Sequence, residues 1–264
     1  MAELVYKLKK YMQPIIIANW KMSLRPAEAR RLLLLMRTKL VKEKNVEIVI
    51  CPSFTELTAS AKIFKGTNIA WGSQDVFWEE SGAYTGEISA LSLKELGCEY
   101  VIIGHSERRR YLHESDEMVN KKTVAVISSG LTPIVCVGET LSERQEGQTE
   151  QIITRQIKGA FNNIDLESGE KVVVAYEPVW AIGTGKATSS ADAEAVFSLI
   201  HDILLDLWSL TIIKNNVKFV YGGSVDSQTA KPFISGSLCN GFLVGGASLK
   251  PLEFAKISQL LNSK

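Results

Sequence analysis

Short runs rich in valine and isoleucine alternate along the chain with longer stretches whose apolar residues recur at helical spacing. The short runs fall at 15–19, 47–51, 68–72, 100–103, 133–137, 172–176, 218–221 and 241–244. Most lack the in-and-out alternation of a half-exposed sheet. Continuous apolar runs are what strands buried on both faces require. Between them, 26–44 begins with Pro26 in a first helical turn and clusters its leucines on one side. The segment 116–129 predicts a helix that stops at Gly130, a natural C-terminal cap. Ser189 or Ser190 caps a helix running to about Trp208, with Val196, Leu199, Ile200, Ile203 and Leu204 along one face. A last helix is predicted over 251–261.

Each strand is followed by helical sequence, and alternating β and α segments imply a parallel sheet with right-handed crossovers. Eight such units in roughly 250 residues imply a closed (β/α)8 barrel ringed by helices, an α/β single domain. An open, doubly wound sheet is the competing architecture, but no strong G-x-G-x-x-G follows the first strand. The expected organisation is a short flexible arm at 1–13 and a catalytic barrel at 14–264.

Composition narrows the function classes. The chain has 264 residues, 45% hydrophobic and 22% charged, with 30 basic against 29 acidic side chains and a net charge of +1. Bulk charge therefore gives no reason to expect a nucleic-acid or membrane-surface partner. Cys51, Cys98, Cys136 and Cys239 fit neither zinc nor disulfide spacing. They read as reduced thiols of a cytoplasmic protein. No apolar run is long enough to span a membrane, and the lysine-bearing N-terminus lacks the apolar core of a secretory signal.

In such a barrel the active site lies at the C-terminal ends of the strands. After strand one come Asn19 and Lys21 in ANWKM. Lys21 places a fixed positive charge at the barrel mouth, although taken alone it reads first as a surface lysine. After strand four, GHSERR places His105 where a helix can begin at Ser106. A helix N-terminus disfavours imidazolium, so His105 would stay neutral and donate to a substrate oxygen. A buried histidine satisfied by backbone groups is the equal alternative. His113 and His201 are expected in solvent.

After strand six, AYEPVWAIGTGK ends the strand at Glu177, and Pro178, Gly183 and Gly185 punctuate the loop beyond it. The pattern suggests a lid that excludes water and raises the basicity of the carboxylate. After strands seven and eight, YGGSV and VGGAS offer Gly222, Gly223, Ser224, Gly245 and Gly246. Glycine lets backbone N–H groups approach phosphate oxygens, and barrels bind phosphate at this place. The three histidines are scattered, and no metal constellation stands out. Cys136 reads as a packed thiol before it reads as a nucleophile.

ANWKM, GHSERR, CVGET, AYEPVWAIGTGK, YGGSV and GFLVGGAS, in this order, resemble the triose-phosphate isomerase family from about Pro14 to the end of the chain. The resemblance implies a TIM barrel and an isomerase of glycolysis and gluconeogenesis. It would interconvert dihydroxyacetone phosphate and D-glyceraldehyde 3-phosphate through an enediol(ate). It also implies that Glu177 is the base, that His105 polarises the carbonyl and shuttles protons, and that Lys21 supplies charge while Asn19 orients the substrate. Backbone N–H groups of Gly183, Ser224, Gly245 and Gly246 would hold the phosphate, with Glu107 in support. In that family a glutamate base, a neutral histidine and a closing loop act together, their pKa values tuned by their surroundings. No cofactor is implied, because a proton moves and not a hydride. The family is usually a homodimer in which the long loop after strand three, with Phe77, Trp78 and Thr85, reaches the partner's active site. Ala18, Ser23 and Ala90 stand where the family commonly has Gly, Asn and Pro. Fold alone leaves open another phosphosugar isomerase, a lyase, or a non-catalytic phosphate-ligand-binding barrel.

Overall fold

The structure is a computed structural model that describes residues 12–181, 188–236 and 238–262. Eight parallel strands close into a barrel in chain order. They are β1 (Ile15–Asn19), β2 (Glu47–Cys51), β3 (Ile69–Ser73), β4 (Tyr100–Ile103), β5 (Thr132–Val137), β6 (Val172–Tyr176), β7 (Val217–Tyr221) and β8 (Cys239–Val244). β8 returns to pair with β1, Ile15 opposite Gly241 and Ala18 opposite Val244.

The helices among the described residues are α1 (Pro26–Leu40), α2 (Leu57–Phe64), α3 (Ala90–Glu95), α4 (Ser106–Leu112), α5 (Asp116–Ser128), α6 (Leu141–Gln145), α7 (Thr149–Ala160), α8 (Ser190–Leu205), α9 (Leu210–Asn216), α10 (Lys231–Ile234) and α11 (Pro251–Asn262). Their starts follow local chemistry. Ser115 accepts from Met118 N–H at α5, and Ser189, not Ser190, accepts from Asp192 N–H at α8. Two helices end earlier than their apolar pattern suggests. α1 stops at Leu40 because the chain must turn in at Val46 and give Glu47 N–H to Pro14 O, 2.8 Å away. α8 stops at Leu205, and Trp208 turns to donate its indole N–H to Ile164 O at 2.9 Å.

Alternate strand residues build two shells. Ile15, Ile17, Val49, Ile102, Ile134, Val173, Val220 and Leu243 fill the barrel interior. Residues of the opposite parity, such as Ile16, Ile48, Val101, Val135 and Val174, pack outward against the helices. Burying each such side chain contributes about 1.5–3 kcal/mol. The interior is thus a packed core, and only its ends are polar.

The lower end carries a polar floor. Lys218 on β7 pairs with Glu47 at the start of β2, and Tyr100 on β4 donates its hydroxyl to the same carboxylate. Burial works to raise the Glu47 pKa, but Lys218 and Tyr100 outweigh it and hold it below the ordinary glutamate value. All four cysteines are buried.

One expectation is corrected. His201 is buried, 9% exposed, with Nδ1 3.3 Å from Asp202 Oδ1. It follows Phe197 by four positions and precedes Leu204 by three, and both are fully buried, so the packed face of α8 is wider than its leucine stripe. His113 is exposed, in the left-handed conformation (φ 55°) that ends α4. Among the described residues, no helix is long and apolar enough to cross a membrane.

Candidate active site

The upper end of the barrel opens into a cavity of about 560 Å³ lined by Asn19, Lys21, His105, Glu177, Ser224, Gly245 and Gly246, among others. The strand-end residues singled out from sequence therefore meet in one place, Gly222 and Gly223 among them. Glu107 stands at its edge, bonded to Lys21. Thr85 lies on an exposed stretch away from this lining. Gly183, and with it most of the lid segment, lies outside the described residues.

Lys21 follows β1 in a left-handed conformation, φ 51°. An L-residue there carries about 1–2 kcal/mol of strain, so neighbours must hold it. Asn19 Oδ1 accepts from Lys21 N–H at 3.0 Å. The Lys21 carbonyl accepts from Ser53 Oγ at 3.2 Å and from Gln74 Nε2 at 3.0 Å, and Gln74 Nε2 also reaches Cys51 O at 3.0 Å. Asn19, Ser53 and Gln74 thus tie the ends of β1, β2 and β3 together around the lysine. Its Nζ lies 2.5 Å from Glu107 Oε1.

His105 is 5% exposed and forms the N-cap of α4, its Nδ1 accepting from Glu107 N–H at 3.2 Å. An Nδ1 that accepts carries no proton, so the ring proton sits on Nε2. Nε2 lies 3.1 Å from Glu177 Oε1. Burial works to lower the His105 pKa, while the Glu177 carboxylate draws it upward, and the net direction is up. The Glu107 N–H at Nδ1 fits a ring that carries its proton on Nε2, facing Glu177.

Glu177 ends β6 and is 2% exposed. Its backbone is fixed by Glu177 N–H to Val137 O at 2.7 Å. The neighbours leave it room: a Cβ on Gly138 would lie 1.7 Å from Glu177 O, and one on Gly222 would lie 2.8 Å from Glu177 Cγ. Its second oxygen accepts from Ser106 N–H at 3.2 Å. Burial works to raise the carboxyl pKa, but His105, Ser106 N–H and Lys21 together hold it below the ordinary glutamate value. The resting direction is opposite to the basicity expected of a covered carboxylate, because these donors are already in place. Cys136, 1% exposed, has its thiol pKa pushed well up by burial, as a packed thiol should.

The glycine-rich end follows β7 and β8. Ser224 Oγ donates to Ala181 O at 2.6 Å, joining this end to the segment after Glu177. Gly246–Leu249 forms a single 3-10 turn that leads into α11, with Ser248 N–H on Gly245 O at 2.9 Å. No neighbour lies within 4 Å of where a Gly246 Cβ would sit.

Sequence reading passed over Ser53 and Gln74, although the strand-end rule reaches both. It also passed over a buried ion cluster beneath α4. There Lys122 Nζ lies 2.7 Å from Asp75 and 2.8 Å from Glu114, and Arg108 lies 2.7 Å from Asp75 and 2.8 Å from Glu114.

Residues 14–261 match the family model described as triosephosphate isomerase. The chain is 48% identical over 245 residues to a triosephosphate isomerase of Thermoanaerobacter pseudethanolicus, covering 93% of this chain and 98% of the relative. It is 48% identical over 245 residues to that of Dictyoglomus thermophilum, covering 92% and 97%. Among solved structures, the crystal structure of triosephosphate isomerase from Bartonella henselae superposes with a TM-score of 0.83 at 35% identity, covering 95% of this chain and all of that one. A closed barrel in strand order, a cavity at its upper mouth and these relatives agree: the chain belongs to the triosephosphate isomerase family.

Proposed function

We propose that the protein interconverts dihydroxyacetone phosphate and D-glyceraldehyde 3-phosphate. The observation that carries this reading is the convergence of Glu177, His105 Nε2 and Lys21 Nζ on one cavity whose far side is built of glycine backbone. Deprotonating carbon beside a carbonyl needs a base and an oxygen-stabilising donor at once. Glu177 removes the C1 proton of the ketose and returns it at C2. The His105 Nε2–H polarises the carbonyl and moves protons between the two oxygens. Substrate entering between them replaces the direct His105–Glu177 contact and frees both groups. Lys21, with Asn19 fixing its turn, supplies countercharge to the anionic substrate and to the enediolate. Backbone N–H groups of Gly183, Ser224, Gly245 and Gly246 hold the phosphate, and Glu107 positions the lysine.

The active form in this reading is a homodimer in the cytoplasm, residues 14–264 forming the barrel and 1–13 a short arm. Its support is apolar surface near the site: Met22 is 96% exposed beside Lys21, and Tyr111 and Leu112 at the end of α4 are 64% and 58% exposed. In the loop after β3, Phe77 stacks on Trp78 at 4.1 Å and meets Tyr84 at 4.6 Å. An exposed loop braced by these ring contacts suits insertion into a partner, with Thr85 exposed on it. Light scattering on the active protein should give twice the chain mass, and a fully active monomer would overturn the dimer.

The function is tested by a coupled assay in both directions with both triose phosphates. Turnover is expected. Binding of either triose without turnover would make the barrel a phosphate-ligand binder. Absence of both would end the reading.

A further inference from the structure

Arg109, near the end of α4, does not line the substrate cavity. It lines a second cavity of about 490 Å³, whose wall includes Glu177, Gly138 and Asp116. We infer that Arg109 is a positioning residue: its guanidinium fixes the Gly104–His105 peptide and so aims the His105 imidazole. The inference rests on the isomerase reading of this site.

The β4 ladder ends at Ile103, opposite Val135. Gly104 then takes a left-handed turn, φ 70°, and His105 leaves the strand at that turn. The Gly104 carbonyl lies beyond the ladder, and Arg109 Nε donates to it at 2.9 Å. The side chain packs closely here, because a Cβ on Gly104 would come 3.1 Å from Arg109 Nη2. The far edge of the guanidinium is pinned as well. Nη1 lies 2.5 Å from Asp116 Oδ1, and Arg155 Nε on α7 donates to Asp116 Oδ2 at 3.1 Å. Asp116 is wedged against α7, where a Cβ on Gly159 would lie 3.0 Å from Asp116 Cβ.

A guanidinium is planar, with its donors in a fixed fork. Two anchored donors set its plane, and the plane sets the direction of the Gly104 carbonyl. Tilting that peptide swings the imidazole on the other side of Cα. Among the described residues the ring's hydrogen-bond partners are the Glu107 N–H at Nδ1 and Glu177 at Nε2, and substrate replaces the second. The backbone latch therefore keeps Nε2 aimed while Glu177 moves to carbon. A misplacement of 1 Å at such a site can cost ~10²-fold in rate.

The test is Arg109→Lys, which keeps a cation beside Asp116 but removes the Nε donor and the rigid fork. The expected kcat falls about 10- to 100-fold, while KM stays near wild type. In ¹⁵N NMR the His105 ring should lose its single Nε2–H tautomer. Arg155→Ala removes the other cation on Asp116 and leaves the latch, so kcat and the His105 signals should stay at wild type. If Arg109→Lys does not fold, Asp116→Asn serves, since it frees the far edge of the fork and should lower kcat and disturb the same signals. A folded Arg109→Lys or Asp116→Asn with wild-type kcat and unchanged His105 signals would overturn the inference. So would equal losses in Arg109→Lys and Arg155→Ala that follow Tm alone. A wild type that turns over no triose phosphate would sink the isomerase reading instead, and the His105 signals would still decide the latch.

Discussion

The two ends of this barrel bury the same chemistry to different effect. At the floor, Glu47 meets Lys218 and the Tyr100 hydroxyl. At the mouth, Glu177 meets His105, the Ser106 N–H and, at longer range, Lys21. In both places burial pushes a carboxyl up and neighbours pull it below its ordinary value. The difference lies in what the partners can do. Glu47 is held by the Lys218 ammonium and the Tyr100 hydroxyl, both fixed parts of the barrel wall. Glu177 rests on an imidazole and a backbone donor at the wall of a cavity large enough for a small phosphorylated sugar. A substrate can displace those contacts and return the carboxylate toward the basicity that burial alone would give. A buried charge becomes a staple or a reagent according to whether its partner can leave.

The largest effect expected is at Glu177. Glu177→Gln keeps the shape and removes the base, so kcat should fall ~10²–10⁴-fold in the coupled assay. Activity within a few-fold of wild type would erase the contrast between the two ends. Lys21→Met comes next. It removes countercharge from the mouth, and kcat/KM should drop on the order of 10²-fold, like loss of a transition-state donor; unchanged kinetics would make Lys21 a surface lysine. Gly246→Asp has room for its side chain but puts like charge beside the phosphate. The inhibition constant of inorganic phosphate should rise about tenfold or more, and an unaltered constant would move the phosphate site elsewhere.

Glu47→Gln should affect turnover least. Removing one partner of a buried ion pair costs ~3–5 kcal/mol, and about 2–3 kcal/mol is expected at this partly exposed floor. Chemical denaturation should show that loss with kcat per folded molecule unchanged. Acid sharpens the prediction. The Glu47 pKa is lowered by folding, so its contribution is fully present above the unfolded value near 4.5 and is lost as pH falls through the folded value. The stability gap between wild type and Glu47→Gln should close at low pH. A gap independent of pH would mean that packing and not charge holds the floor.

Legibility in the sequence divides along the same line. The mouth is written in contiguous motifs, because each strand delivers its functional residues within a few positions of its end, as with Asn19, Lys21, His105 and Glu177. The strand runs were legible because both faces are buried, so apolar content alone marks them. The floor was not legible. Lys218 and Glu47 are 171 residues apart and meet only once β8 has closed on β1. Gln74 was missed for a related reason: its amide matters through carbonyls of Lys21 and Cys51, two other strand ends. His201 was misplaced because the packed width of α8 depends on its neighbours. Helix ends at Leu40 and Leu205 were overrun because apolar spacing continues past the point where the chain must turn.

The most direct measurement is solvent deuterium incorporation into the triose phosphates, wild type beside Glu177→Gln at equal folded concentration. A carboxylate base that picks up a carbon-bound proton can exchange it with solvent before returning it. Wild type should therefore place deuterium on carbon during isomerisation, and Glu177→Gln should lose exchange and isomerisation in the same proportion. Continued exchange by the variant at the wild-type rate would show that another group is the base, and would contradict the account of the barrel mouth.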